Sequence, residues 1–236
     1  MNLFWLLTLA HLVGDFPLQT DTVFYYKTTY KWGVLLHVGI VSAMNILFTL
    51  PYLRYPVFWI VLILLFLSHI LYDSGKIWIT QNVIKDNVYL FLFDQFLHLF
   101  TIWILTFGFL ALYPDAVYRF NWPFYSNTRL IIQISGFVLA TFALTPLVFN
   151  VRVFINDRKP KQERETLIFP GLRQRVPGYV ERFFLTLLAL LGGWFWLGIA
   201  AIFGVRLLAQ KWDWPVVVFG DFLAILVGIL LRAFTL

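Results

Sequence analysis

Long apolar runs separated by short polar connections dominate the chain. The runs are continuous rather than alternating, which is typical of membrane-embedded helices and not of β-strands. A helix needs about 20 residues to cross the hydrocarbon core of a bilayer. Seven runs predict seven transmembrane helices, at approximately Asn2–Phe16, Gly33–Leu50, Val57–Asp73, Val88–Tyr113, Leu130–Val151, Val180–Leu208 and Val216–Phe234. The expected fold is therefore an all-α, polytopic membrane protein.

The first run is the shortest and stops at Pro17, so this helix is expected to tilt little or to be re-entrant. It lacks the basic start and the small-residue cleavage site of a signal peptide, and it continues directly into His11 and Asp15. We therefore interpret it as a retained helix.

Composition supports a membrane protein and excludes several kinds of site. Hydrophobic residues make up 61% of the chain and charged residues only 13%, whereas soluble domains are about one-quarter charged. Many of the ten tryptophans flank the apolar runs, as residues at membrane interfaces do. The absence of cysteine excludes thiolate metal sites, iron–sulfur clusters and cysteine nucleophiles.

The net charge of +6 is concentrated in one connection, residues 152–179, which carries seven basic residues. The positive-inside rule places such a loop in the cytoplasm and removes any need for a nucleic-acid partner. Alternation of seven helices then puts the N-terminus outside and the C-terminus inside. This arrangement assigns 13 of the 18 Lys and Arg residues to the cytoplasmic side. We expect a multi-pass protein of the cell (inner or plasma) membrane.

All four histidines fall in the N-terminal part of the chain, and three of them lie four positions from an aspartate. The pairs are His11 with Asp15, His69 with Asp73 and Asp94 with His98, and His37 stands alone. Four residues is about one helical turn, so each pair projects from one face of a helix. Ionisable groups inside a membrane are costly and usually mark a functional site.

The predicted topology places these groups near the cytoplasmic ends of the first four helices, at similar depth. Four antiparallel helices can present such groups to one shared centre. Imidazole and carboxylate are common ligands of Zn, Mn and Fe, so we predict a site for one or two divalent ions. The predicted ligands are His11, Asp15, His37, His69, Asp73, Asp94 and His98. The alternative is that each pair is a hydrogen-bonded contact that only fixes helix packing.

Three aspartates and one lysine are the candidate catalytic residues. Asp15, Asp73 and Asp94 would be metal ligands, would orient the imidazoles, or would act as a general base. Lys76 would hold a substrate anion, although it also suits an ion pair with Asp73 or a snorkelling role. Lys27 is interpreted as a simple topology determinant.

The chain is predicted to divide into a four-helix polar bundle at 1–113 and three further helices at 114–236. Gln95 adjoins Asp94 and is expected to point elsewhere around the helix. Glu181 suits a helix N-terminus or could reach the shared centre, and Asp221 is expected to pair with Arg206.

A resemblance to a known family rests on the motifs His11-Leu-Val-Gly-Asp15-Phe16-Pro-Leu18-Gln19, Lys27, His37, His69-x3-Asp73-x2-Lys76 and Asp94-Gln95-x2-His98. They resemble an uncharacterised family of bacterial integral-membrane proteins that open with His-x3-Asp-Phe-x-Leu-Gln, for which no function can be carried over. The His-x3-Asp pairs are more distantly similar to small inner-membrane proteins labelled metal-dependent hydrolases, a label that implies hydrolysis by analogy only.

The favoured function is metal-assisted hydrolysis or transfer on a lipid or amphipathic substrate, which makes membrane lipids the expected partners. The alternatives are a metal-ion or proton transporter, a bis-histidine haem bundle, and a non-catalytic membrane scaffold. No feature of the sequence predicts an oligomeric state.

Overall fold

The structure of the protein, a computed structural model, describes residues 2–117, 122–208 and 213–235. Within these residues every regular element is helical, which confirms the all-α expectation. Four stretches are long and apolar enough to cross a membrane, at Pro56–Asn82, Val88–Leu112, Thr128–Asp157 and Trp214–Phe234. Two shorter apolar stretches cover Gly33–Phe48 and Gly193–Leu208.

The chain divides into two compact units, residues 1–135 and 136–236. The first unit contains α1 (Asn2–Asp15), α2 (Asp21–Thr29), α3 (Gly33–Phe48), α4 (Pro56–Asn82), α5 (Val88–Leu112) and α6 (Pro123–Ser126). The boundary lies within α7 (Thr128–Val138), which continues through a π-helical segment (Leu139–Ala143) into α8 (Leu144–Asp157). The second unit also contains α9 (Leu172–Leu191), α10 (Trp196–Leu208), α11 (Trp214–Val216), a second π-helical segment (Val217–Phe222) and α12 (Leu223–Thr235).

Helix α1 is the central helix of the first unit. It is apolar around almost its whole circumference, and 11 of its 14 residues are buried, as expected of a helix enclosed by others. It packs against α3 and α5, and α4 packs against the same two helices. At the N-terminal end of α1, Asn2 donates to the carbonyl of Tyr125, whose hydroxyl donates to the carbonyl of Leu47. These contacts tie α1, α3 and α6 together.

The outer faces of α4 and α5 are apolar and exposed. Ile60, Ile63 and Leu67 on α4, and Phe93 and Phe96 on α5, are each more than half exposed. Large exposed apolar surfaces mark a contact with lipid or a partner, and continuous surfaces along spanning-length helices suit lipid.

Two elements of the first unit differ from the hydropathy prediction. Helix α4 continues to Asn82, well beyond its predicted end at Asp73, because the polar residues that follow lower the hydropathy without stopping a helix. Helix α2 was not predicted, because it has no buried residue and its sequence contains no apolar run. Thr20 caps its N-terminus, because its side chain accepts a hydrogen bond from the backbone amide of Val23.

The predicted sixth helix, Val180–Leu208, is wrong as a single element. The chain breaks at Gly192 and Gly193, whose φ angles are 64° and 59°, a conformation that glycine adopts without strain. Helix α10 then returns along α9, because Arg206 near its end contacts Glu181, which lies in the middle of α9. The apolar run is continuous across this break, so hydropathy carried no sign of it.

Helix α12 runs parallel to α9 in the second unit. Thr186 of α9 donates to the carbonyl of Ala224 at 3.1 Å, and further along both helices Arg232 donates to the carbonyl of Leu191 at 2.9 Å. Both helices contribute to the hydrophobic core of the second unit. This core consists of small and branched apolar side chains, namely Ala140, Leu144, Leu185, Ala189, Ile199, Ala224 and Ile225.

A buried network of charges also lies in the second unit. The Asp221 carboxylate is 1% exposed and lies 3.0 Å from Nη2 of Arg206, as the sequence predicted for this pair. The same Arg206 binds Glu181, which therefore already has a partner. Arg182 donates to two carbonyls of the first π-helical segment, where the wider helical turn alters the backbone pairing.

Candidate metal centre

The first unit brings all seven predicted ligands into one cluster. Each is at most 6% exposed. They come from four helices: His11 and Asp15 from α1, His37 from α3, His69 and Asp73 from α4, and Asp94 and His98 from α5. Three overlapping groups have ligand atoms within 4.8 Å of one another, namely His11, Asp15 and His69; His37, His69 and Asp73; and Asp73, Asp94 and His98.

Four atoms form the tightest part of the cluster, which we name the primary site: Nε2 of His37, Nε2 of His69, Oδ1 of Asp15 and Oδ2 of Asp73. The two imidazole nitrogens are 3.4 Å apart. Asp15 Oδ1 lies 3.4 Å from each nitrogen. Asp73 Oδ2 lies 3.5 Å from that of His37 and 3.4 Å from that of His69. Five of the six separations among these atoms, the one between the two nitrogens and the four between nitrogen and oxygen, are therefore 3.4–3.5 Å.

These five separations match those expected between the ligands of a tetrahedral ion site. Four nitrogen or oxygen ligands at about 2.0–2.1 Å from an ion lie ~3.3 Å from one another. An ion explains the arrangement better than hydrogen bonds among the four side chains do, since Asp15 Oδ1 is buried without a hydrogen-bond partner. An unpaired buried polar atom is costly, and a cation among the four atoms would remove that cost.

His98 and Asp94 extend the cluster along α5. The Nδ1 of His98 lies 2.8 Å from the backbone carbonyl of Asp94, which can only accept, so Nδ1 carries the proton. Nε2 is therefore left with its lone pair, and it is buried without a hydrogen-bond partner. The ring lies 4.3 Å from that of His69 and 5.0 Å from that of His11, measured between ring centres. A neutral imidazole fixed in this way is the form that a metal ion binds.

Two lysines face the carboxylates from outside the cluster. Lys27 Nζ lies 2.8 Å from Asp73 Oδ2, and Lys76 Nζ lies 3.2 Å from Asp94 Oδ2. The expected pairing of Lys76 with Asp73 is therefore wrong, because Lys27 occupies that place. Lys27 reaches the centre from α2, the helix that hydropathy does not reveal, and its interpretation as a topology determinant alone was incomplete.

Two glutamines are further members that sequence reasoning missed. Gln95 was expected to point away, yet its Oε1 lies 3.4 Å from His11 Nε2 and its Nε2 donates to Asp94 Oδ2 at 3.2 Å. Its long side chain reaches back across the helix face, which adjacency to Asp94 does not reveal. Gln19 accepts a hydrogen bond from Lys27 at 3.1 Å and so holds that lysine towards Asp73.

The family comparison covers the same region. A family model described as "Protein of unknown function (DUF3307)" matches residues 3–123, just over half of the chain. The chain belongs to this family. The resemblance to an uncharacterised family is thereby confirmed, whereas the similarity to metal-dependent hydrolases stays a prediction. No curated protein and no solved structure matches the chain significantly. All seven clustered residues lie within the DUF3307 region.

Two glycines of the DUF3307 region allow the helices to approach the centre. A Cβ atom on Gly14 would lie 2.8 Å from Val41 Cγ2 and 2.9 Å from Val41 Cα, so α1 and α3 touch through this position. A Cβ on Gly33 would lie 1.8 Å from the carbonyl oxygen of Tyr26, where α2 meets α3. Gly14 therefore brings Asp15 close to His37, and Gly33 holds α2 where Lys27 meets Asp73.

A small cavity adjoins the imidazoles of His11, His69 and His98. It has room for one water molecule at most. Its other walls come from α3, α4 and α5 and include Asn45 and Ser68. This space would admit a single small ligand beside the histidines and no bulky group.

Proposed function

We propose that the chain is an integral membrane protein whose primary site binds a divalent transition metal. The spacing of His37, His69, Asp15 and Asp73 carries this proposal. Charge supports it as well. Three carboxylates face two lysines, so with neutral imidazoles the cluster keeps one uncompensated negative charge in an apolar surrounding. Mixed imidazole and carboxylate ligation suits Zn, Mn or Fe.

The favoured activity is metal-assisted hydrolysis or group transfer on a lipid or amphipathic substrate. A divalent ion in the primary site would supply Lewis acidity towards a carbonyl or phosphoryl oxygen. Asp94 lies outside the primary site and, in a centre that holds a single ion, would accept a proton during attack. Lys76 is 21% exposed, more than Lys27 at 11%, and would bind an anionic group of the substrate from the rim.

A haem bundle fits the geometry poorly. Two axial imidazoles bind on opposite faces of a porphyrin. The space between His37 and His69 is bordered by Asp15 and Asp73, each within 3.5 Å of both nitrogens. A flat macrocycle would have to displace both carboxylates.

The proposed topology keeps the N-terminus outside and the basic connection, residues 152–179, in the cytoplasm of a cell-membrane protein. The reversal at Gly192 divides the predicted sixth run into two antiparallel helices, so the chain would cross the membrane once more than predicted. Helix α12 runs parallel to α9. The C-terminus would then lie outside rather than inside. Among the described residues, Arg206 moves to the cytoplasmic side and Arg232 leaves it, so the excess of basic residues inside is kept. The revised topology thus agrees with the positive-inside rule as well as the first one did.

Metal binding is tested by elemental analysis of detergent-purified protein together with its visible absorption spectrum. The wild type should carry at least one equivalent of a transition metal and no haem band. Asp73→Asn and His37→Ala should lose the metal of the primary site. Asp221→Asn is the matched control, because it removes a buried carboxylate from the second unit. Wild-type protein that remains free of metal after incubation with Zn²⁺, Mn²⁺ or Fe²⁺ would refute the proposal.

Activity is tested in mixed micelles with a long-chain p-nitrophenyl ester and with bis-p-nitrophenyl phosphate. Turnover that requires metal and disappears in Asp73→Asn supports hydrolysis. Metal flux into proteoliposomes without turnover of either compound would support transport instead.

A further inference from the structure

Four donor atoms outside the primary site are candidates for a further ion: His11 Nε2, Asp15 Oδ2, His98 Nε2 and Asp94 Oδ1. His11 lies in a group with Asp15 and His69, and His98 lies in a group with Asp94 and Asp73, the ligand atoms of each group being within 4.8 Å of one another. We propose that the four donor atoms hold a second divalent ion, so that the centre is dinuclear. This inference rests on the proposed metal function and extends it.

The two oxygens of Asp15 face different imidazoles. Oδ1 lies 3.4 Å from the Nε2 atoms of His37 and His69, whereas Oδ2 lies 3.7 Å from the Nε2 of His11. A carboxylate placed in this way can give one oxygen to each of two ions. Paired ions in hydrolytic and transfer enzymes are about 3.5–4 Å apart, a separation that one bridging carboxylate spans.

His98 supplies an independent sign of a ligand on this side. Its Nε2 is buried without a partner, although Nδ1 is already bound to the backbone of Asp94. The side chain is 4% exposed, so water does not satisfy that lone pair from the surface. Its ring forms a triangle with those of His69 and His11, the three ring centres being 4.3, 5.0 and 5.6 Å apart. A second ion at this position would satisfy the lone pair.

Asp94 adds an unpaired carboxylate oxygen to the same side. Oδ1 is buried without a hydrogen-bond partner, whereas Oδ2 accepts from Lys76 and Gln95. Oδ1 is thus available to an ion, while the hydrogen bonds to Oδ2 hold the carboxylate in place. Gln95 Oε1 also lies 3.4 Å from His11 Nε2, so it would either orient that imidazole or join the ligands.

A dinuclear centre narrows the chemical class of substrate. Two ions placed together clamp the attacking and leaving oxygens in phosphoryl transfer. With two divalent ions the cluster has excess positive charge, which an anionic group bound near Lys76 would balance. A lipid with a phosphate ester therefore fits better than a neutral carboxylic ester.

The test is the number of Mn²⁺ ions bound per chain by the purified full-length protein after loading and desalting. The wild type should bind two, His98→Ala and His98→Gln should bind one, and Asp221→Asn should still bind two. The low-temperature EPR spectrum of the wild type should show exchange coupling between two Mn²⁺ ions, a measurement that needs no variant. His98→Gln should show the spectrum of an isolated ion.

One uncoupled Mn²⁺ in the wild type, retained in His98→Gln, would overturn the second site and leave the primary site standing. No bound Mn²⁺, Zn²⁺ or Fe²⁺ in the wild type would overturn both proposals. The two failures are therefore distinguishable from a single set of measurements.

Discussion

Asp15 Oδ1 on α1 lies 3.4 Å from His69 Nε2 on α4, although these two helices share few other contacts. The pair therefore meets through side chains that project into the space enclosed by α1, α3, α4 and α5. Each group also has its own partner one turn away, His11 for Asp15 and Asp73 for His69. The centre is thus assembled by crossing contacts between helices as well as by the i,i+4 pairs.

Replacement of His69 by alanine should have the largest effect on metal content among the histidine variants. His69 contributes to the primary site and its ring lies 4.3 Å from that of His98. We expect the primary site of His69→Ala to retain less than about one-tenth of its metal, because losing a ligand costs more than the 10–100-fold affinity loss typical of outer partners. Elemental analysis after desalting measures this. Metal content equal to that of Asp221→Asn would contradict the ligand role.

Gly14→Ala should separate α1 from α3. The new Cβ would overlap Val41, including its backbone Cα, so the helices must shift at the position next to Asp15. Overpacking of this kind costs about 1–3 kcal/mol, and the primary site should bind metal more weakly. Gly39→Ala on α3 is the control, since its Cβ meets nothing within 4 Å. Thermal unfolding in detergent, with and without metal, compares the two. Equal behaviour of both variants would show that the close approach is unimportant.

Lys27→Met should make the metal-free protein less stable while leaving the metal-bound protein closer to wild type. The ammonium group neutralises Asp73, which is 2% exposed, and removing one partner of a buried ion pair costs ~3 kcal/mol. An ion in the primary site would compensate the same carboxylate. Melting temperatures measured in EDTA and in Zn²⁺ should therefore differ more for Lys27→Met than for wild type. Lys31→Met, at an exposed position just beyond α2, should behave as wild type, and a uniform loss in both conditions would argue against the role of Lys27 as a counter-ion.

Gln95→Leu should weaken metal binding without abolishing it. The amide contacts both His11 and Asp94, so its loss frees both side chains to rotate. Loss of such an orienting partner typically lowers metal affinity 10–100-fold. Competition with a chromogenic chelator measures the change, and Gln81→Leu, whose amide donates to the carbonyl of Thr28 on the exposed surface, is the control. If the two variants bind metal with the same affinity, Gln95 does not orient the ligands of the centre.

The revised topology can be checked by labelling, because the chain contains no cysteine. Lys161→Cys lies in the basic connection and Phe234→Cys lies near the end of α12, where the side chain is 79% exposed. In sealed right-side-out vesicles, a membrane-impermeant maleimide should label Phe234→Cys and leave Lys161→Cys unlabelled until detergent is added. If neither position is labelled before detergent is added, the revised topology is wrong and the C-terminus lies inside, as the seven-helix prediction had it.

The sequence predicted the helices and the cluster better than it predicted the connections. The i,i+4 pairs and the long apolar runs identified α1, α3, α4 and α5 and the seven polar groups they carry, since both depend on helical periodicity alone. Gly192 and Gly193 interrupt a run that remains apolar on both sides, so hydropathy alone did not separate α9 from α10, and the turn signal of the Gly-Gly pair was not used. Lys27 and Gln95 reach the cluster through long flexible side chains, and spacing along the chain does not determine where such side chains end.

Lys27 has a consequence for how the protein matures. Helix α2 has no buried residue and places an ammonium group against Asp73. On the proposed metal function, Lys27 would neutralise this carboxylate until an ion binds, so that the bundle could close without the ion. Membrane assembly and acquisition of the ion would then be separate events.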